Sequence, residues 1–356
     1  MKKILVVDDS ALMRRVLCDI IDSDERCHGE DRAVHGLEAL ELLSRKSYDA
    51  VVLDVNMPQM NGLELLRELQ KRKISARVMM ASTDTKEGAK TTLDALELGA
   101  LEFVHKPNNA MDCRTDAFRD RLLRILSVVA DSKTPLASKT FTLNELKASK
   151  KMVELVGKHA STVPGNKIVA LASSTGGPKA LQSVIPRLPK NLKAPMVIVQ
   201  HMPAGFTASL AERLNSLSEI QVKEATEGET LEEGTVYIAM GGKHLNIQTS
   251  AGKYSIHYTD QPAREGVRPC ANYMYESLMD SRYDQVVCVV LTGMGADGTE
   301  GIKHLKEKKK IHVIAQEAST CAVYGMPRSV VSANLADQVV PLDQIAQEII
   351  MNVGVK

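Results

Sequence analysis

Short apolar runs alternate with helix-like segments through the first third of the chain. Residues 4–7 form the first run, and Leu12, Val16 and Leu17 begin the first pattern with helical spacing. Further runs and helical patterns follow in turn at residues 50–53, 63–69, 78–81, 87–98 and 101–104. Uninterrupted apolar runs are typical of strands buried in a parallel sheet, and their alternation with helices implies right-handed crossovers. The pattern predicts a doubly wound α/β domain over residues 1–127.

This alternation lapses over residues 128–166, which we interpret as a linker. The segment from Ser127 to Asn166 is rich in lysine, and residues 142–145 fit a capping box. An apolar stripe follows the capping box, formed by Leu146, Met152, Val153 and Val156. Two interpretations stay open, a short helix packed against one domain and an exposed tether.

Beyond the linker the alternation resumes. Apolar runs lie at residues 167–172, 195–200 and 285–291, and a helical pattern covers residues 179–185. They predict a second doubly wound, mainly parallel α/β domain over residues 167–356.

Composition narrows the classes of function. Lys and Arg number 45 against 44 Asp and Glu, and the net charge of +1 offers no general attraction to nucleic acid or to an anionic membrane. No apolar run approaches the roughly 20 residues of a membrane span, so we expect a cytosolic protein without membrane insertion. The six cysteines have no C-x-x-C spacing, and we expect neither disulfides nor a zinc site.

Polar residues follow the strands predicted in the first domain. Asp8 and Asp9 follow the first run, and Asp54, Ser82 and Lys106 follow later ones. The carboxyl ends of parallel strands share one edge of a sheet, so these side chains should converge there. Carboxylates that converge repel one another unless a cation neutralises them, and oxygen ligands suit a hard ion such as Mg²⁺.

This set, with Met57-Pro58 and Asn61-Gly62, resembles the receiver domain of two-component response regulators. The resemblance implies a (βα)5 fold in which Asp54 accepts a phosphoryl group. It also implies that Asp8, Asp9, Asp54 and the Asn56 backbone carbonyl hold Mg²⁺, while Ser82 and Lys106 contact the phosphoryl oxygens. A second strand is expected near residues 26–34, but that stretch is polar and its placement stays open.

In the second domain a serine, a histidine and an aspartate each follow a predicted strand. Ser173-Ser174 precedes Thr175-Gly176-Gly177, His201 follows residue 200, and Asp297 lies in a Gly-rich turn. Acyl transfer needs a hydroxyl nucleophile, an imidazole base and a carboxylate that orients the imidazole. Thr175 and Met294 are candidates for oxyanion support, and the residues alone leave Ser173 and Ser174 both open as nucleophile.

Four motifs resemble the catalytic domain of the CheB family of chemotaxis methylesterases. They are residues 172–177, 200–207, 292–298 and 324–327. The resemblance implies hydrolysis of γ-glutamyl methyl esters on methyl-accepting chemotaxis receptors, with release of methanol, and deamidation of particular receptor glutamines. It implies Ser174 as nucleophile, His201 as general base and acid, and Asp297 as the orienting carboxylate.

The same resemblance implies no cofactor for the hydrolysis, a chemotaxis histidine kinase as phosphodonor, and a monomer. It leads to the hypothesis that the unphosphorylated receiver covers the triad and that phosphorylation of Asp54 exposes it. Three positions depart from the family pattern, namely Ala172, Cys270 and Asn272.

Three rival functions fit the residues less well. A DNA-binding output domain would need a basic recognition helix, which residues 167–356 do not suggest. A nucleotide-binding domain is disfavoured because residues 174–179 do not fit the P-loop pattern. A scaffold with an inactive hydrolase domain is disfavoured because all three triad residue types are present.

Overall fold

The computed structural model describes residues 1–82, 86–107, 112–132, 165–250 and 253–355. It divides the chain into two compact units, Met1–Lys139 and Thr140–Lys356. The capping box and apolar stripe predicted in the linker lie outside the described residues. No helix within the described ranges combines the length and the apolar character needed to cross a membrane. All six cysteines lie within the described ranges, where they are buried and form no disulfide.

The first unit is a five-stranded parallel sheet in the order β2-β1-β3-β4-β5. Its strands are β1 Lys2–Val7, β2 Cys27–Ala33, β3 Ala50–Asp54, β4 Val78–Ser82 and β5 Glu102–His105. Its helices are α1 Ala11–Asp22, α2 Gly36–Arg45, α3 Gly62–Lys71, α4 Lys86–Glu97 and α5 Asp116–Asp131, with a 3₁₀ turn at Asp112–Arg114. The central strands β3 and β4 are buried throughout, as their apolar runs predict.

Strand β2 explains why the polar stretch near residue 30 is hard to place from sequence. It lies at the edge of the sheet and pairs only with β1, and its register shifts between Ile4 and Leu5. Its middle residues are partly exposed, and Glu30 and Asp31 pair with Lys3 and Lys46. An edge strand needs no continuous apolar run, because part of its surface faces water.

The second unit is built on a seven-stranded parallel sheet in the order β14-β13-β12-β6-β7-β9-β8. Its strands are β6 Lys167–Ser173, β7 Met196–Gln200, β8 Gln221–Glu224, β9 Thr235–Ile238, β12 Gln285–Val290, β13 Ile311–Gln316 and β14 Gln338–Val340. A separate antiparallel hairpin pairs β10 His244–Ser250 with β11 Lys253–Thr259.

The helices of the second unit alternate with the strands except from β8 to β11, where four strands follow one another with no described helix between them. They are α6 Gly177–Val184, α7 Phe206–Leu217, α8 Ala271–Ser277, α9 Thr299–Lys308, α10 Met326–Ser332 and α11 Ile345–Val353. The 3₁₀ turns are Ile185–Arg187, Ala318–Thr320 and Leu342–Gln344. The prediction of α/β architecture with parallel sheets is confirmed for both units.

Strand β6 occupies the centre of this second sheet. The chain continues from β6 to β7 on one side and returns through β12 on the other. All residues of β6, β7 and β12 are buried. A reversal of strand order in a parallel sheet opens a crevice at the carboxyl ends of the strands, and ligands of such folds bind there.

Candidate functional site

Acidic side chains and one lysine converge at the carboxyl edge of the first sheet. The Lys106 ammonium lies 2.8 Å from Asp8 Oδ2 and 3.0 Å from Asp54 Oδ2. Carboxylate oxygens of Asp8, Asp9 and Asp54 lie within 4.8 Å of one another. Asp8, Asp54 and Lys106 are buried, whereas Asp9 is exposed. The structure therefore brings together four of the residues predicted from the strand ends.

Electrostatics at this edge are unfavourable to the ionised Asp54. Burial and the neighbouring Asp8 raise the pKa of Asp54, although Lys106 opposes the shift. Burial acts against the Lys106 ammonium too, but the Asp54 and Asp8 carboxylates raise its pKa overall. One lysine thus faces three carboxylates, and a hard divalent cation fits the remaining negative charge and the all-oxygen donor set.

The backbone holds two of these carboxylates in fixed orientations. Asp8 Oδ1 accepts a hydrogen bond from Ser10 N at 2.9 Å, and Asp54 Oδ1 accepts one from Val55 N at 2.8 Å. Ser82 is buried at the end of β4, and its carbonyl accepts from Lys106 N at 2.7 Å. The side chain of Asn56 is exposed beyond β3.

In the second unit, Ser174 lies on the turn between β6 and α6. Its amide donates to Thr292 O at 3.0 Å, and its carbonyl accepts from Gly177 N at 2.7 Å. Gly176 adopts a left-handed conformation, with φ of 76°. The Ser174 hydroxyl is partly exposed and has no hydrogen-bond partner among the described residues. This turn presents a free hydroxyl at the carboxyl edge of the central strand.

His201 lies beside this turn because of the register of the sheet. Ser173 pairs with Gln200 at the ends of β6 and β7, so Ser174 and His201 are the first residues beyond two adjacent strands. The His201 amide donates to Ser173 O at 3.1 Å. His201 Nε2 lies 2.8 Å from Asp297 Oδ2, and both side chains are largely buried. The three residues predicted from separate strand ends therefore meet at one edge.

Asp297 is held as an ionised carboxylate. Burial acts to raise its pKa, but hydrogen bonds and the charge of His201, together with the Ala271 amide, lower the pKa below its usual value. The distance from Asp297 Oδ2 to Ala271 N is 2.6 Å. An ionised carboxylate against a histidine nitrogen fixes the ring and stabilises its protonated form.

The loop after β12 packs against the serine turn and carries Met294. Thr292 Oγ1 donates to Thr175 O at 2.9 Å, and the Gly293 carbonyl accepts from the amides of Gly325 and Met326. Thr175 is buried, and the Met294 side chain is 40% exposed. Thr175 and Met294, the two candidates for oxyanion support, therefore lie in loops that hydrogen-bond to each other next to Ser174.

Known proteins share both units of this chain. The family model for the CheB methylesterase matches residues 169–349, and the model for the response regulator receiver domain matches residues 4–117. A protein-glutamate methylesterase/protein-glutamine glutaminase of Geobacillus kaustophilus is 41% identical over 352 residues, which cover 99% of each chain. The chain belongs to the CheB methylesterase family. A similarly named Pyrococcus horikoshii protein is 40% identical over 353 residues, 99% of this chain and 94% of that one.

A solved structure of the CheB family also resembles the second unit. The crystal structure of the Thermotoga maritima CheB methylesterase catalytic domain is 44% identical, with a TM-score of 0.51. The match covers 52% of this chain and 97% of that one.

The three departures from the CheB pattern have different surroundings. Ala172 is buried in β6 between Val199 and Val290, the residues it pairs with on the neighbouring strands. Cys270 and Asn272 both contact Asp297, through the thiol at 3.1 Å and the backbone amide at 2.9 Å. Two of the three departures therefore lie directly against the Asp297 carboxylate.

One buried side chain that sequence reasoning did not select also contacts the serine turn. Gln200 Oε1 accepts from the Ser173 hydroxyl at 2.7 Å, and Gln200 Nε2 donates to Ser174 O at 3.0 Å. A Cβ on Gly177 would lie 1.9 Å from Gln200 Oε1, so this close approach requires glycine. The signal available in the sequence was a polar glutamine at the end of an otherwise apolar run.

Proposed function

We propose that Ser174, His201 and Asp297 hydrolyse γ-glutamyl methyl esters of methyl-accepting chemotaxis receptors and deamidate receptor glutamines. The chain is a hydrolase of the CheB methylesterase family with a receiver domain, and its curated relatives carry the names of both activities. The observation that carries the residue assignment is the 2.8 Å contact between His201 Nε2 and Asp297 Oδ2 beside the serine turn.

The arrangement supports a two-step acyl transfer. The Nε2–H group of His201 donates a hydrogen bond to the ionised Asp297 carboxylate, so Nδ1 is the nitrogen that accepts the Ser174 proton. The Ser174 oxygen attacks the ester carbonyl, and collapse of the tetrahedral intermediate expels methoxide, which takes the proton from His201 and leaves as methanol. A water activated by His201 then attacks the glutamyl-enzyme and releases the carboxylate. A glutamine side chain follows the same steps and releases ammonia.

Oxyanion stabilisation is assigned to the turn around Ser174. The Met294 backbone N–H and the Thr175 turn are the proposed donors, because their loops are braced against each other beside the nucleophile. Donors fixed before the reaction stabilise the developing negative charge without reorganisation. The chain's own groups thus supply every step of the hydrolysis.

In the first unit, Asp54 is the proposed phosphoryl acceptor. Asp8, Asp9, Asp54 and the Asn56 carbonyl would hold Mg²⁺, which neutralises phosphoryl and carboxylate charge when it is bound. Lys106 already contacts Asp8 and Asp54 and is placed to pair with a phosphoryl oxygen, and Ser82 is the second proposed contact. A chemotaxis histidine kinase is the proposed phosphodonor.

The proposal includes the setting in which the protein works. The receptors on which CheB methylesterases act carry their methylation sites on cytoplasmic helices, so we place the protein in the cytosol. We propose separately that it acts as a monomer. The divisions at residues 1–127, 128–166 and 167–356 remain our functional boundaries.

Methanol release from methylated receptor membranes tests the proposal. Wild type should release methanol, and Ser174→Ala should reduce the rate to background, whereas Ser173→Ala should retain a measurable rate. Unchanged release by Ser174→Ala would overturn the assignment, and no release by wild type would favour a binding scaffold.

A small phosphodonor tests the regulatory part separately. It should increase the rate of wild type and have no effect on Asp54→Ala. Equal stimulation of the two proteins would remove Asp54 from its proposed role.

A further inference from the structure

Two helices beside the proposed triad exchange side-chain caps. Helix α8 begins at Ala271, and its N-cap residue Cys270 makes no side-chain hydrogen bond to it. Asp297 does so instead, since its Oδ2 accepts from Ala271 N at 2.6 Å and its Oδ1 accepts from Asn272 N at 2.9 Å. These amides belong to the first turn, where backbone donors lack partners within the helix.

Helix α9 is capped in the opposite direction. Its N-cap residue, Gly298, has no side chain with which to cap it. Asn272 Oδ1 accepts from Gly298 N at 3.0 Å and from Gly301 N at 2.7 Å. Asp297, which lies just before α9, therefore caps α8, and Asn272 within α8 caps α9. The position of Asp297 is thus coupled to both helices.

The Cys270 thiol completes the donors around Asp297. It is fully buried, and its Sγ lies 3.1 Å from Asp297 Oδ1. Burial and the negative charge of Asp297 raise the pKa of this thiol, so it keeps its proton and donates. Each carboxylate oxygen then has two donors, Cys270 and Asn272 on Oδ1 and Ala271 and His201 on Oδ2.

We propose that Cys270 and Asn272 are positioning residues that fix the Asp297 carboxylate and set how strongly it stabilises a protonated His201. The catalytic consequence rests on the proposed function. Hydrogen-bond donors draw negative charge away from a carboxylate, so weaker donors leave more charge facing the imidazole. Because His201 has to be neutral to accept the serine proton, donor strength on Asp297 sets the lower pH limit of activity.

Several other titratable groups surround this cluster. Tyr275 of α8 and His244 of β10 both sense the charge of Asp297, and Arg268 acts on His244. Glu265 Oε1 accepts from Asn272 Nδ2 at 2.9 Å. Substitutions at Cys270 leave all four of these groups in the protein, which isolates the effect of the thiol.

Two substitutions at Cys270, to serine and to alanine, test the proposal by the order in which they and wild type shift the pH dependence. A hydroxyl is a stronger donor than a thiol, and alanine has none. The pH midpoint of the acid limb of kcat/KM should therefore rise in the order Cys270→Ser, wild type, Cys270→Ala.

Asn272→Asp provides an independent way to change the negative charge that acts on His201. It keeps an acceptor for Gly298 N and Gly301 N, but it places a second carboxylate near Asp297 and opposite Glu265. Its midpoint should lie above that of wild type, because the added negative charge stabilises the imidazolium.

The midpoint is measured in two ways on the full-length protein. Nitrogen-15 NMR of the imidazole, with His201→Gln to assign its signal among the nine histidines, follows protonation directly. The acid limb of kcat/KM for methanol release gives the catalytic midpoint. Ordered NMR midpoints without methanol release would overturn the proposed function and keep the inference.

Cys288→Ala is the matched control, because Cys288 is also a fully buried thiol and does not contact Asp297. It should lower stability without moving either midpoint. Equal midpoints for Cys270→Ser, Cys270→Ala and wild type would show that Cys270 only fills space, and would overturn the proposal.

Discussion

The two units place carboxylates at the same edge of the same kind of sheet but treat their charge in opposite ways. In the first unit, Asp54 lies near Asp8 and its pKa is raised. In the second, Asp297 lies alone among hydrogen-bond donors and its pKa is lowered. The first arrangement suits a site that gains by binding a cation, and the second suits a permanently ionised partner for histidine.

The difference teaches that position in the fold does not determine the chemistry of a strand end. Parallel sheets bring these side chains together in both units. The neighbours that each loop supplies then decide the charge state, with other carboxylates in one case and helix amides in the other.

Removal of the Asp297 charge should have the largest effect. Asp297→Asn should lower kcat for methanol release by about 10³- to 10⁴-fold, because His201 loses the partner that orients its tautomer. The side-chain NH₂ group that replaces one carboxylate oxygen would also face the hydrogen-bond donors that now contact that oxygen. This should lower the free energy of unfolding by about 1–3 kcal/mol.

Asp284→Asn is the control for this change, since Asp284 accepts from Asn166 N at the opposite end of the strands. Its rate should equal that of wild type. A loss below tenfold in Asp297→Asn would contradict the comparison between the two carboxylates.

Displacement of the Gln200 amide should have the next largest effect. Gly177→Ala pushes a methyl group against Gln200 Oε1 and should lower kcat about 100-fold by shifting the Ser174 carbonyl, with KM little changed. In a Gln200→Ala background the closest contact is removed and Ser173 Cβ, at 3.0 Å, is the nearest remaining atom, so the same change should cost less. Additive losses in this double-mutant cycle would argue that the amide and the glycine act independently.

Cation binding should relieve the electrostatic repulsion among the three carboxylates of the first unit. Saturation with Mg²⁺ to about 100 times Kd should stabilise the first unit by about 2.7 kcal/mol, measured by hydrogen exchange of β1 and β3 amides with and without chelator. Asp9→Asn should remove most of this gain, yet change the metal-free stability by less than about 0.5 kcal/mol because Asp9 is exposed.

Asp19→Asn in α1 is the matched control, since Asp19 is also exposed but lies outside the acidic cluster. Its response to Mg²⁺ should match that of wild type. Equal stabilisation of Asp9→Asn and wild type would exclude Asp9 as a ligand.

Opposite pH dependences of stability are the smallest expected effect. The pKa of Asp54 is raised on folding, so its contribution is present at low pH and is lost as the pH rises from 3.8 through the folded value. The pKa of Asp297 is lowered, so its contribution is present above 3.8 and is lost as the pH falls through the folded value.

Denaturant unfolding of wild type, Asp54→Asn and Asp297→Asn between about pH 3 and pH 7 measures both contributions. Relative to wild type, Asp54→Asn should gain stability as the pH rises, while Asp297→Asn should lose it. The same sign for both variants would contradict the contrast.

The sequence predicted well which residues lie at the strand ends, but it predicted poorly the edge strand, the hairpin and the residues that contact those strand ends. Apolar runs identified β3, β6 and β12, and the loops that follow β6 and β12 carry Ser174 and Asp297. The hairpin β10–β11 was missed although Leu245 and Ile247 alternate with polar residues. Strand β2 could not be placed because its middle is polar and lies at the sheet edge.

Contacts between distant segments were beyond sequence reasoning for a physical reason. Cys270 and Asn272 were noted only as departures from a family pattern, and their contact with Asp297 depends on how α8 packs against α9. Gln200 was visible as part of a motif, but its role depends on the register of β6 and β7.

The return of the chain to β6 through β12 makes hydrolytic competence a late event in folding. Ser174 and His201 are brought together by two strands that are close in sequence, but the partner of His201 lies 96 residues further on. Contacts of such long sequence separation form only after a large loop has closed, which is slow. A nascent or partly folded second unit should therefore carry Ser174 and His201 without the carboxylate that the proposed function assigns to His201. Recovery of esterase activity during refolding should accordingly lag behind burial of β6 and β7, which makes activity a reporter of the completed sheet.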